Sequence, residues 1–125
     1  MVTKYGVVFG VFLFGTLTSA ALAATPKSQF LEKFKKSAPN TFCGENTYFQ
    51  KCFQIDKAAC AKTVNDKIGD CILSSEKEYP ESLTKKEEGG NLGRKVGTCL
   101  GEKLETEWKE KKVASTECAD PKKWN

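Results

Sequence analysis

Six cysteines, Cys43, Cys52, Cys60, Cys71, Cys99 and Cys118, follow an N-terminal segment with the pattern of a secretory signal. An even set of thiols in a short chain, all downstream of the leader, implies three disulfides formed in an oxidising compartment. In the leader, Lys4 precedes the apolar run Val7–Leu17, and Ala21 and Ala23 supply small side chains ahead of the expected cleavage site after Ala23. The chain therefore divides into a cleaved signal peptide, 1–23, and a single domain, 24–125, that is secreted or periplasmic. The apolar run is shorter than the ~20 residues that span a bilayer, so no stable membrane anchor is expected after cleavage.

The cross-links matter because the core is small. Leu, Ile, Val and Phe number only 17 beyond Ala23, against 20 basic and 16 acidic side chains in the whole chain. Without covalent constraint such a composition suggests disorder. Each disulfide contributes on the order of 2–4 kcal/mol, comparable to the whole stability of a small domain, so the fold is expected to fail when reduced. A net charge of +4 without a nucleic-acid-binding motif argues against a nucleic acid partner.

Hydrophobic periodicity predicts helices and no strand. The first covers Ser28–Ala38, capped by Ser28 and stopped by Pro39. A second runs through the segment Glu45–Ile55. A third starts after Asp56 and carries Cys60, Val64, Ile68, Cys71, Ile72, Ser75 and Tyr79 on one stripe, ended by Pro80. Ser82–Gly90 reads as a loop. Asn91 is the expected cap of a last helix, where Leu92, Val96, Cys99, Leu100, Leu104 and Trp108 recur at helical spacing, followed by an irregular tail. The fold class is all-α: a small disulfide-stapled bundle of three to four helices.

Cys60 and Cys71 lie about 16 Å apart along one helix, too far to bond to each other, since bonded Cα atoms lie within about 7 Å. A turn near Gln54–Lys57 would pair Cys52 with Cys60 and Cys43 with Cys71, leaving Cys99 with Cys118. The main rival keeps Cys52–Cys60 and joins Cys71 to Cys99 and Cys43 to Cys118. The nested spacing resembles the helical hairpins of twin CX9C proteins, although the spacers here are eight and ten residues.

The absence of histidine removes Ser-His-Asp and Cys-His catalysis and His-based zinc sites. No catalytic residue, metal ligand or cofactor site is expected, and the chain is read as a non-enzyme. Gly93, Gly97 and Gly101 form a row at i, i+4, i+8, where each glycine costs about 1 kcal/mol relative to alanine. Close packing of another helix within the domain would offset that cost; the alternative is a groove for a partner helix or an acyl chain. With Trp124, which flanking lysines place at the surface, this row is the candidate interaction face. Phe42, Tyr48, Phe49 and Phe53 are expected mostly in the core. The function expected is a non-catalytic extracytoplasmic protein-binding module, such as a periplasmic inhibitor or protective protein; in general character it resembles exported immunity proteins. Its partner is expected to be another protein. The alternative is a secreted carrier of an apolar small ligand or lipid, although the Cys-x3-Cys element of insect odorant-binding proteins is missing.

Overall fold

A computed structural model describes residues 24–124; the expected signal peptide lies outside the described residues. Four helices dominate: α1 (Lys27–Cys43), α2 (Tyr48–Cys52), α3 (Lys57–Glu76) and α4 (Lys86–Glu107). This is a small all-α fold held by three disulfides. The strands β1 (Thr25–Pro26) and β2 (Ser82–Leu83) form a two-residue antiparallel ladder, and Phe53 makes a single bridge to Lys112. Single 3-10 turns occupy Lys109–Lys111 and Pro121–Trp124.

α1, α3 and α4 pack as an up-down-up bundle. Cys43, at the end of α1, is bonded to Cys60 in the first turn of α3. At the opposite end, the buried Lys27 ammonium donates to the Glu76 and Tyr79 carbonyls at 3.0 and 3.1 Å. A cation placed on the last carbonyls of α3 meets the negative end of its dipole, which fixes the antiparallel orientation from both ends. α3 and α4 are likewise antiparallel, joined by Cys71–Cys99 and by ion pairs from Lys67 to Glu107 and from Lys95 to Glu78. Between the helices lie Leu31, Ala38, Val64, Ile68, Leu92, Val96, Leu100 and Leu104. A second apolar cluster, Tyr48, Phe49, Phe53 and Trp108, stacks edge to face at one end.

Several expected boundaries move. α1 starts after Pro26 rather than at a Ser28 cap and passes through Pro39 to Cys43, because burial of Ala38 and the bond from Cys43 to α3 hold the last turn helical. The second helix contracts to Tyr48–Cys52, after which Phe53 is drawn into an extended bridge. Asp56 caps α3 as expected, its carboxylate accepting from the Ala59 amide at 2.8 Å; the helix ends at Glu76, before Tyr79. The expected loop 82–90 instead contributes β2 and the first turn of α4. Asn91 lies inside that helix; the N-cap is Lys85, and Glu88, in the first turn, sends its carboxylate back to accept from the Lys85 and Thr84 amides at 2.9 and 3.1 Å. Those hydrogen bonds, from Lys85 first, hold the Glu88 carboxyl below its usual range.

The disulfide pattern also needs correction. All six cysteines are paired, but as Cys43–Cys60, Cys52–Cys118 and Cys71–Cys99. Neither the Cys52–Cys60 and Cys43–Cys71 hairpin nor the Cys99–Cys118 closure forms; of the rival pattern, only Cys71–Cys99 is present. The reason is the extra turn of α1. It puts Cys43 on the helix that packs along α3, while the short α2 turns Cys52 toward the tail.

Candidate functional site

The parallel pair α1 and α4 touch along only part of their length. A Cβ placed on Gly89 would meet the Phe30 ring at 3.4 Å, and one on Gly93 would meet the Phe30 and Phe34 rings at 3.5 Å. One turn further, Gly97 has only the tip of Phe34 at 4.0 Å, and Gly101 has nothing within 4 Å. The glycine row is therefore divided. Gly93 receives the close internal packing expected of all three, whereas Gly97 and Gly101 open onto a groove of about 940 Å³. At Gly97 the expected internal helix packing is reduced to this one contact: among the described residues no side chain other than Phe34 comes within 4 Å of a Cβ placed there.

The opposite wall comes from the α1–α2 corner. Phe42 is half-buried there, stacked at 6.0 Å on Phe49 and lining the groove with it. The Thr47 hydroxyl holds this corner, lying 2.9 and 2.8 Å from the Phe42 and Gly44 carbonyls and accepting from the Gln50 amide. Gly44 is required by its surroundings, since a Cβ would stand 2.8 Å from the Asn40 carbonyl oxygen. Tyr48, Phe49 and Phe53 are buried, as expected of core aromatics.

Trp124 closes one end of the groove. Its ring lies 6.0 Å from Tyr48, and its indole N–H donates to the Glu117 carbonyl at 3.1 Å. The tail reaches this position because Cys118 is bonded to Cys52 of α2. Gly97, Gly101 and Trp124 thus line one groove, and Gly93 lies just outside it under Phe34.

Beside Trp124 the Tyr48 hydroxyl donates to Glu105, and the Lys112 ammonium lies 3.7 Å from the same carboxylate and 5.7 Å above the Tyr48 ring. Burial, reinforced by Glu105, pushes the Tyr48 phenol above its usual range, and Lys112 is raised by its contact with Tyr48. Sequence reasoning missed this cluster, because Tyr48, Glu105 and Lys112 meet only through tertiary structure. It also missed Arg94, which lines the far end of the groove. Its signal was legible: Arg94 is the single arginine of the chain and lies one turn from Gly97.

Among the described residues no group of three or more His, Cys, Asp or Glu side chains is arranged to hold a metal ion, and no helix is long and apolar enough to cross a membrane. A family model described as T2SS substrate NttA matches residues 24–119. The chain belongs to this family of type II secretion substrates. The protein is accordingly a secreted, extracytoplasmic one. The matched span includes all six cysteines and every groove residue before the tail's last turn. No curated protein and no solved structure gives a significant match.

Proposed function

We propose that the protein is a secreted, non-catalytic binding module that takes an apolar segment of a partner protein into the groove between α4 and the α1–α2 corner. The observation that carries this reading is the floor at Gly97 and Gly101, bare of side chains and facing Phe42, Phe49 and Trp124 across an open cleft. Apolar surface left uncovered by folding is the usual mark of a contact site. A cross-linked scaffold loses little conformational freedom on binding, which favours affinity from a small contact area. The non-catalytic part of the reading rests on the lack of histidine and on the pairing of all six thiols. Secretion favours a partner met outside the cell over a periplasmic one, and blocking that partner's own site is the activity such a module would exert.

A second reading, carriage of an apolar small ligand, is favoured by the groove volume, which falls within the range of small-molecule sites. A synthetic array of octapeptides, each with one Leu, Phe or Trp anchor, separates the two. The protein should retain a subset of these peptides, and Gly97→Leu should abolish retention. The variant itself should melt within about 1 kcal/mol of the parent or slightly above it, since the site is open and leucine is the better helix former. Uptake of N-phenyl-1-naphthylamine without retention of any peptide would favour the carrier instead.

A further inference from the structure

Among the described residues Arg94 has no carboxylate to answer it. Its neighbours one turn away on α4, at positions three and four residues on either side, are Gly90, Asn91, Gly97 and Thr98, in a chain with 16 acidic side chains. None of the ion pairs among the described residues involves it. Its guanidinium donates to the Asn91 side-chain oxygen at 3.0 Å, which leaves further N–H groups of the fork free beside the groove. Every other basic side chain of the chain is a lysine, and the one that can grip a carboxylate with two parallel hydrogen bonds stands at the end of the apolar floor.

The other end is mixed. Glu105 lies eleven residues along α4, about 16 Å away, and is engaged by Tyr48 and Lys112. Glu102 lines the same stretch, as does Lys122 of the tail. Along its length the groove thus runs from the guanidinium of Arg94, over the bare floor at Gly97 and Gly101, to an end where carboxylates and ammonium groups meet.

Resting on the binding-module reading, we propose that the occupant is an acidic peptide segment, with an apolar side chain seated on the Gly97–Gly101 floor and a carboxylate held by Arg94. Arg94 fixes its direction. An acid on the Arg94 flank of the anchor strengthens binding, whereas one on the other flank, where Glu102 and Glu105 lie among Lys112 and Lys122, gains no comparable contact. Added salt weakens the Arg94 contact, which is exposed.

The test uses octapeptides with a fixed Leu, Phe or Trp anchor and with Glu, Gln or Lys at each flanking position in turn. At one flank Glu should bind roughly tenfold more tightly than Gln, the size expected of a hydrogen bond to a charged group. With Arg94→Gln that preference should vanish while the apolar anchor is still required. Arg94 is exposed and outside the ion pairs, so the variant should keep the parent melting temperature, which the same preparation checks. Equal binding of Glu and Gln peptides to the parent, or an acid preference that survives in Arg94→Gln, would overturn the assignment and leave the binding module standing. Failure of every octapeptide to bind, whatever its flanks, would remove the binding-module reading itself.

Discussion

Tyr48 is where the core meets the groove. Its ring packs on Phe49 and Phe53, while its hydroxyl reaches Glu105 beside Trp124. Because its folded-state pKa is raised, the native state holds this proton more tightly than the unfolded chain does. The resulting stability is fully present below the ordinary tyrosine pKa of about 10 and is lost as pH rises through the higher folded value. Lys112, also raised, acts in the same direction. The melting temperature should therefore fall steeply above about pH 10, and Tyr48→Phe should make that fall shallower, as followed by circular dichroism across an alkaline series. An identical alkaline slope in Tyr48→Phe would show that other groups govern it. At this scale the sequence was only partly legible. The glycine period could be read directly, but whether Gly97 is filled depends on how far the Phe34 ring extends from another helix. The lone arginine could be counted, but its isolation from acids across space could not.

Pro39 shows where local rules yield to packing. Within α1 it supplies no amide to the carbonyl four residues back and crowds that carbonyl, at a cost of about 3 kcal/mol relative to alanine in a helix interior. The helix continues because Ala38 is buried and Cys43 is bonded to α3, contacts invisible to a reading that stops helices at proline. Pro39→Ala should thus raise stability by on the order of 1–3 kcal/mol, measured by chemical denaturation of the oxidised protein. A loss of stability would mean that proline at position 39 is needed to seat the α1–α2 corner. The buried stripe of α3, by contrast, was readable in advance, since Cys60, Val64, Ile68, Cys71 and Ser75 are all buried at the expected period. The start of α4 was not: Glu87 and Glu88 look like a solvated charge run, and only the turn at Lys85 reveals that the Glu88 carboxylate closes back on the N-cap amide.

For the molecule as a whole, the class of fold followed from helical periodicity and the cysteine count, whereas connectivity did not. The bonds span 17, 28 and 66 residues and tie α1 to α3, α3 to α4, and α2 to the tail. The longest, Cys52–Cys118, attaches a tail with little regular structure to α2 and so sets Trp124 against Tyr48 at the mouth of the groove. The three bonds therefore serve the site as well as the core, holding both walls and the end cap around a floor that the chain leaves bare. Nuclear magnetic resonance titration of the oxidised, isotope-labelled protein with the tightest octapeptide tests this most directly. Shift changes should concentrate at Gly97, Thr98, Gly101, Asn46 and the Trp124 indole, with the disulfide-linked helices otherwise unperturbed. Changes centred instead on the exposed outer face of α3 around Leu73, with the groove signals unmoved, would contradict it.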